Sequence, residues 1–364
     1  IQQNKAETDD IACYNRDIRI MAKPTLVSGI QPTGRLHLGN YLGALKNFVE
    51  LQNSGKYNCY FFVADLHALT ENPNPKDLQK NIPNLGTDFL AAGLDPKKST
   101  IFVQSIVPAH YELYQVLSPL MPVSELMRMT AFKEKVLQTL KLKEGQISSK
   151  EDFEKAVEES NFGLAAYPVL MIADIILYNA KLVPVGHDQL QHLELARTLV
   201  RKFNNKFGET FIEPQPLLTN VPRLMSLDDA TKKMSKSRPA GCLFLDDSPD
   251  EIREKIKRAV TDSGKEIKYD LENKPAISNL MLIYSALSEK SLKEIESKFK
   301  NKTYSEFKSE LAEVVINALA PFQEAKRKLK PAAVKKVLVD GSKKASAVAS
   351  KKLEEVKKKI GLLI

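Results

Sequence analysis

Residues 25–40 read TLVSGIQPTGRLHLGN: a short β-branched run, a glycine-containing turn and the start of a helix. Apolar side chains at helical spacing continue through residues 39–52, so the turn joins a strand to a helix N-terminus. Such an N-terminus attracts anions because its first backbone N–H groups have no partner within the helix. Gly29 and Gly34 also let a ligand approach the backbone closely. The segment therefore predicts an α/β fold with an anion site at this turn.

Three more strand-like runs follow, at residues 59–64, 100–104 and 182–185, and helical stretches separate them. This alternation predicts a Rossmann-like, doubly wound parallel sheet. Beyond about Pro249 the strand signals fade and helical periodicity continues, which predicts a C-terminal all-α domain. We expect an upstream extension outside the fold at 1–20, a catalytic domain at 21–248 with an insertion at about 136–160, and a helical domain at 249–364.

The composition is that of a globular protein, with 364 residues and 43% hydrophobic side chains. No stretch reaches the roughly 18 uninterrupted apolar residues of a membrane span. The cysteines, Cys13, Cys59 and Cys242, are far apart and have neither disulfide-framework nor metal-site spacing. The first 20 residues are unlike a signal or transit peptide. We therefore expect a soluble, cytoplasmic protein that ligates no metal through its own side chains.

Positive charge is concentrated near the C-terminal end of the sequence. The formal net charge is +9, and the last 41 residues contain 13 Lys or Arg against four acidic residues. The whole excess therefore lies in the final helical segments. A solvated helical face and a polyanion-binding surface both explain such a pattern, and charge alone leaves the two open.

A second polar segment, KMSKS at residues 233–237, occupies a loop position before Pro239. Its lysines act as point charges and, with its serines, can surround a polyphosphate. In the first turn, His37 and Asn40 can donate hydrogen bonds to phosphate oxygens. Alone, each motif has an ordinary explanation, a helix start or a solvated charge run. Together they predict an ATP site that activates a carboxylate. Neither a Walker A loop nor a Gly-x-Gly-x-x-Gly fingerprint is present, which disfavours P-loop kinases and dinucleotide dehydrogenases.

The two motifs resemble the HIGH and KMSKS signatures of the class I aminoacyl-tRNA synthetases. A finer resemblance, to the tryptophanyl-tRNA synthetases of the bacterial and organellar type, covers almost everything from Thr25 onward. The segments that carry it are residues 29–44, 64–68, 128–130, 132–135, 167–178, 183–192, 261–263 and 277–280.

The resemblance implies a two-step reaction. The carboxylate of L-tryptophan attacks the α-phosphate of ATP, which gives tryptophanyl-adenylate and pyrophosphate. The tryptophan then passes to the 2′-hydroxyl of the terminal adenosine of tRNA(Trp). The family also implies Mg²⁺ bound with ATP as a substrate complex, and a homodimer.

The resemblance further implies a role for individual residues. Those expected in catalysis are His37, Asn40, Lys233 and Lys236. Those expected to bind ATP are Gln31, Pro32, Thr33, Gly39, Asn40, Lys135, Gly186, His187, Asp188, Leu224, Lys233, Met234, Ser235, Lys236 and Ser237. Those expected to bind tryptophan are Gly29, His67, Tyr167, Met171, Asp174, Val183, Val185 and Gln189. For tRNA we expect Lys326, Arg327, Lys335 and Lys336 on the basic helices.

Asp174 lies in an otherwise apolar helical run, where an unpaired charge is expensive to bury. A capping or salt-bridged structural acid is one explanation. The resemblance implies another, in which Asp174 accepts the indole N–H of tryptophan. Phenylalanine would then leave the carboxylate unpaired, whereas tyrosine must be excluded by pocket shape. Met171, Val183 and Val185 are equally compatible with core positions.

The chain departs from the family pattern in several places, including Pro122-Val123-Ser124 before Glu125, where a glycine is more usual, and the length of residues 136–160. The chain has His187 where the family usually has an acid, and Arg238 where it usually has Asp after KMSKS. These departures bear on nucleotide affinity and loop closure, not on the reaction type. Separately, three other functions stay open: a tyrosyl-tRNA synthetase, a HIGH-motif nucleotidyltransferase that makes a dinucleotide, and a non-catalytic RNA-binding paralogue.

Overall fold

The computed structural model describes residues 23–139, 154–155, 157–218 and 223–362. Within these residues, five parallel strands form the central sheet, in the order β3-β2-β1-β4-β5. The strands are β1 (Thr25–Ile30), β2 (Asn58–Val63), β3 (Ser99–Val103), β4 (Leu182–Val185) and β5 (Gln215–Leu218). This order confirms the predicted doubly wound α/β sheet. The expected extension at 1–20 and most of the expected insertion at 136–160 lie outside the described residues.

Helices cover both faces of the sheet, as the crossovers between parallel strands require. The main α-helices are α1 (Leu38–Asn40), α2 (Lys46–Asn53), α3 (Asp65–Ala68), α4 (Pro75–Ala91), α5 (Ala109–Leu117), α6 (Val123–Met127), α7 (Thr130–Thr139), α8 (Phe162–Ile176), α9 (Leu190–Phe207), α10 (Pro249–Arg258), α11 (Pro275–Ser288), α12 (Leu292–Lys298), α13 (Tyr304–Lys328) and α14 (Pro331–Ile360). A π-helical turn, Tyr41–Leu45, joins α1 to α2. No helix among the described residues is long and apolar enough to cross a membrane.

The alternating side chains of β2 show how the two cores form. Phe61 and Val63 belong to an apolar cluster shared with α2, α4 and α10–α13, whereas Tyr60 and Phe62 belong to one shared with α5, α8 and α9. Every β2 residue from Cys59 to Val63 is buried. A strand buried on both faces is typical of the interior of an α/β sheet.

The region after Pro249 is helical, as predicted, and α10 and α11 pack against α13. The last helix, α14, instead makes its most extensive contacts with β3. Its first half reaches one apolar cluster through Val334 and Leu338, and its second half reaches the other through Ala345 and Ala349. A domain boundary at residue 249 would assign α14 to the helical domain. In the structure, however, α14 packs mainly against strand β3 of the sheet.

Two small residues let α14 lie against the edge of β3. A Cβ added to Gly341 would lie 1.8 Å from the Ile101 backbone oxygen, so only glycine permits this approach. The Ser342 hydroxyl accepts a hydrogen bond from the backbone N–H of Val103, at 3.2 Å. An edge strand exposes unpaired backbone groups, and α14 covers those of β3.

Candidate active site

The first motif is held by a reciprocal cap at the start of α1. The backbone N–H of Asn40 donates to Nδ1 of His37 at 3.3 Å, and the His37 backbone N–H donates to Oδ1 of Asn40 at 3.2 Å. Because Nδ1 is an acceptor, the ring proton of neutral His37 is on Nε2. Burial, followed by the charges of Lys236 and Lys233, lowers the pKa of His37 to about 4. His37 is therefore a neutral N–H donor at pH 7.

Backbone pairing fixes the register of the second motif. The Met234 N–H donates to the Leu224 carbonyl at 3.0 Å, and the Ser226 N–H donates to the Lys232 carbonyl at 2.7 Å. The Met234 and Leu224 side chains, expected at the adenine, are both buried in the apolar cluster of this region. Lys233 is exposed.

The two motifs lie against each other. Nζ of Lys236 donates to Oγ1 of Thr33 at 3.0 Å and approaches the Gly34 carbonyl at 3.4 Å. An antiparallel bridge also joins His37 to Phe244, just beyond the second motif. The fold thus places a cationic loop directly on the turn that follows β1.

A cavity of about 590 Å³ lies at the carboxyl ends of β1 and β4, where parallel sheets bind ligands. All eight residues expected to bind tryptophan line it. Of those expected to bind ATP, its lining includes Gln31, Lys135, Gly186 and Asp188. Of the remaining ATP candidates, His187 lies between Gly186 and Asp188 in the short helical turn after β4, and Leu224 pairs with Met234 of the second motif. The others belong to the two motifs or to the turn that follows β1. Asn47, which sequence reasoning missed, also lines the cavity.

Asp174 on α8 is 1% exposed and accepts hydrogen bonds from three side chains. Nε2 of Gln104 lies 2.8 and 2.9 Å from its two oxygens, Nε2 of His67 lies at 2.7 Å and Nδ1 of His110 lies at 2.6 Å. Nε2 of His110 in turn lies 2.8 Å from the Tyr178 hydroxyl. Burial alone would raise the pKa of Asp174, but His110 and His67 together hold it below its usual value. The carboxylate is therefore charged, and both of its oxygens have protein donors.

Sequence reasoning missed Gln104 and His110 as partners of Asp174. Gln104 directly follows β3, so its position at the carboxyl edge of the sheet was an available signal. Of the three partners, only His67 lines the cavity. A ligand N–H that reaches Asp174 must therefore approach from the side of His67.

Tyr167 also has a partner that the sequence did not indicate. Its hydroxyl lies 2.8 Å from Nε2 of His192, a residue of α9 that is 3% exposed. Burial, with a smaller effect of Glu134, raises the pKa of Tyr167 to about 12. Burial likewise lowers the pKa of His192 to about 4, although Asp188 acts in the opposite direction. The pair is therefore neutral at pH 7 and fixes the hydroxyl at the cavity wall.

Residues 21–320 match the family described as tRNA synthetases class I (W and Y). The chain belongs to this family of class I synthetases. A tryptophan–tRNA ligase of Caldanaerobacter subterraneus subsp. tengcongensis is 47% identical over 340 residues, which cover 93% of this chain and 98% of the relative. One from Bacillus subtilis is 44% identical over 344 residues, with the same coverage.

Solved structures give the same assignment for this class I synthetase. The tryptophanyl-tRNA synthetase of Mycoplasma pneumoniae has a TM-score of 0.81 and 34% identity, over 94% of this chain and 98% of that one. The Campylobacter jejuni enzyme, complexed with ADP and tryptophan, has a TM-score of 0.75 and 34% identity, over 93% of this chain and 100% of that one.

The four basic residues expected to bind tRNA have different surroundings in this synthetase. Arg327, Lys335 and Lys336 are exposed. Lys326 is partly buried, and its Nζ lies 2.6 Å from Oδ1 of Asp88, a carboxylate of α4 that is 4% exposed. Lys326 thus ties α13 to α4.

The described residues contain no group of three or more His, Cys, Asp or Glu side chains that could hold a metal ion.

Proposed function

We propose that this chain is a tryptophan–tRNA ligase that activates L-tryptophan with ATP and transfers it to tRNA(Trp). Family membership makes it an aminoacyl-tRNA synthetase, and the class uses ATP. Relatives at 44–47% identity over 93% of the chain are tryptophan–tRNA ligases. The observation that carries the choice of amino acid is the buried, charged carboxylate of Asp174 at the wall of the cavity.

The first step is an in-line attack of the tryptophan carboxylate on the α-phosphate, with pyrophosphate as leaving group. It needs no protein nucleophile, because positioning and electrostatic stabilisation supply the catalysis. Neutral His37 donates from Nε2 to a phosphate oxygen, and Asn40 fixes the orientation of its ring. Lys236 and Lys233 neutralise the charge that develops on pyrophosphate. Mg²⁺, bound to the ATP phosphates, supplies further neutralisation.

Asp174 selects tryptophan through the indole N–H. Gln104 and His110 donate to the carboxylate from outside the cavity lining, whereas His67 donates to it and lines the cavity itself. An indole N–H adds a further charge-assisted hydrogen bond to the oxygen that faces the cavity. The phenylalanine side chain has no N–H to offer, so it loses this hydrogen bond to a buried charge, a loss that exceeds that of a methylene contact.

Tyr167 and Gln189 bind the substrate ammonium group. The Tyr167 hydroxyl is held by His192 and keeps its proton, because its pKa is about 12. Its oxygen therefore accepts a hydrogen bond from the ammonium group. The Gln189 amide is oriented by Oδ2 of Asp188, to which its Nε2 donates at 3.1 Å. The substrate carboxylate is then directed towards the side of the cavity lined by Gln31 and Gly186.

The second step transfers tryptophan to the 2′-hydroxyl of the terminal adenosine of tRNA(Trp). The exposed Arg327, Lys335 and Lys336 contact tRNA phosphates. Lys343 and Lys344 lie two turns farther along the exposed face of α14 and extend this basic surface.

A homodimer in the cytoplasm is the proposed form of the enzyme. Apolar side chains are exposed on the flank formed by α5, α6 and the start of α8: Ile106 (47%), Tyr111 (46%), Val123 (67%) and Phe162 (76%). An exposed apolar surface of this kind marks an interaction site. Light scattering of wild type and Phe162→Glu tests it, and a monomeric wild-type protein would reject it.

Amino-acid-dependent exchange of pyrophosphate into ATP tests the proposed function. Exchange should occur with tryptophan and be absent with tyrosine and phenylalanine. Asp174→Ala should abolish it, whereas Asp340→Ala, an exposed acid on α14, should leave it unchanged. Exchange driven by tyrosine would identify a tyrosine enzyme. Exchange without any amino acid would identify a nucleotidyltransferase, and no exchange at all would favour a non-catalytic paralogue.

A further inference from the structure

Residues 224–241, here called the lysine loop, contain an arginine held between two carboxylates. Nη2 of Arg238 lies 3.2 Å from Oδ2 of Asp228, and Nη1 lies 3.5 Å from Oδ2 of Asp229. The side chains of the three residues are 31%, 37% and 26% exposed. Arg238 thus joins two parts of the loop that are ten residues apart.

The lysine loop has a fixed limb and a spanning limb. The fixed limb is the backbone-paired region in which residues 224–226 contact residues 232–234. The spanning limb, residues 235–241, carries Lys236 across to Thr33. Arg238 lies in the spanning limb, and its two carboxylate partners lie in the turn of the fixed limb. The ion pairs therefore hold the spanning limb in the position from which Lys236 reaches Thr33.

Asp228 and Asp229 also determine which positive charges of the loop are paired within it. Oδ2 of Asp229 also lies 3.1 Å from Nζ of Lys232, so Lys232 and Arg238 share Asp229 as a partner. Lys233 is exposed and Lys236 faces the first motif. The loop therefore presents Lys233 and Lys236 to an anion, while Lys232 and Arg238 are engaged within it.

We propose that Arg238 is a positioning residue for ATP, and that it acts through Lys236 by keeping the spanning limb closed over the phosphate site. The proposal rests on the proposed function for its reaction, and it adds a residue to which no role had been given. Without the ion pairs, the limb samples open positions and the fraction of enzyme competent to bind ATP falls. The apparent affinity for ATP falls by the same factor. The tryptophan site, built on β1, α8 and β4, should keep its affinity.

The test compares wild type with Arg238→Ala, Arg238→Lys and the control Arg253→Ala. Arg253 makes a similar pair of contacts, with Glu313 and Asp250, on α10 and outside the lysine loop. Calorimetric titration of the free enzyme with MgATP gives the ATP affinity without any amino acid. Pyrophosphate exchange then gives the KM for ATP and for tryptophan separately.

Arg238→Ala should weaken ATP affinity and raise the KM for ATP by about five- to tenfold, the range expected for two partly exposed ion pairs. The KM for tryptophan should stay within about twofold. Arg238→Lys should recover part of the loss, and Arg253→Ala should match wild type. In a mutant cycle, adding Asp228→Asn and Asp229→Asn to Arg238→Ala should cause little further loss.

An unchanged ATP affinity in Arg238→Ala would overturn the proposal. So would a parallel rise in both KM values with a lower melting temperature, because that result indicates general loosening. If wild type binds MgATP but shows no tryptophan-dependent exchange, the proposed function fails while calorimetry still decides the role of Arg238. Absence of MgATP binding by wild type would reject both.

Discussion

Replacing Lys326 with alanine should destabilise the fold rather than only weaken tRNA binding. Nζ of Lys326 lies 2.6 Å from Asp88, which is 4% exposed on α4. Removing one member of a buried ion pair costs about 3–5 kcal/mol because the other charge is left unpaired. The Lys326 side chain is 30% exposed, so solvent offsets part of this loss. We expect a loss of about 2–3 kcal/mol in the free energy of unfolding at pH 8.

The loss should depend on pH in a defined direction. Burial raises the pKa of Asp88, and Lys326 opposes that rise. Without Lys326 the pKa in the folded protein moves further above the unfolded value of about 3.9. A carboxyl whose folded pKa is raised favours the folded state when protonated, and this contribution is lost as the pH rises through the folded pKa. The difference between Lys326→Ala and wild type should therefore be larger at pH 8 than at pH 5.

Urea denaturation followed by circular dichroism at pH 5 and pH 8 measures both effects. Lys335→Ala is the matched control, because Lys335 is an exposed lysine of α14 and should unfold like wild type. The reasoning is refuted if Lys326→Ala unfolds within about 0.5 kcal/mol of wild type at pH 8. It is also refuted if the stability difference grows as the pH falls.

Three further predictions concern stability, pH and tRNA. Gly341→Ala should lower the free energy of unfolding by about 2–4 kcal/mol, because the new Cβ would lie 1.8 Å from the Ile101 oxygen and backbone cannot rotate away; a denaturation midpoint at or above that of wild type would contradict this. Burial and two nearby lysines lower the pKa of His37 to about 4, so NMR should find it neutral above about pH 5, and stability due to the neutral ring should be lost as the pH falls from about 6.5 towards 4; a titration midpoint near 6.5 would disprove it. Lys335→Gln with Lys336→Gln should weaken tRNA binding and reduce the slope of log affinity against log salt by about 1.5–2, and an unchanged slope would exclude phosphate contacts at these positions.

Local patterns made the sheet and its first turn predictable. The run at residues 25–30 is strand β1, and the following turn leads to a helix start at Leu38. Both features depend on neighbouring residues, since strand propensity and helix capping are short-range properties. The polar residues of the first motif were therefore placed correctly at the carboxyl end of β1.

The surroundings of Asp174 could not be predicted in the same way. Its three partners lie 64 to 107 residues away in sequence: Gln104 directly after β3, His67 on α3 and His110 on α5. Only the strand order brings the ends of these elements together. A buried acid in an apolar helix indicated that a partner must exist, but not which residues supply it.

The basic C-terminal region shows the limit of arguments from charge. Lysines of the same basic segment have different surroundings: Lys335 is exposed, whereas Lys326 pairs with the buried Asp88. The signal for the packing of α14 was instead its small residues: Gly341, Ser342, Ala345 and Ala349 are all buried. Small residues on one side of a helix allow close approach to another backbone.

The way α14 covers β3 has a consequence for how the chain is made. Residues 331–360 are the last described element to be synthesised. Until they emerge from the ribosome, the edge strand β3 of the nascent sheet is not covered by α14. An open strand can pair with another chain, and incompletely folded intermediates aggregate through such edges. A chain that lacks α14 because of premature termination should therefore be degraded or aggregate. It should not accumulate as a partly active enzyme.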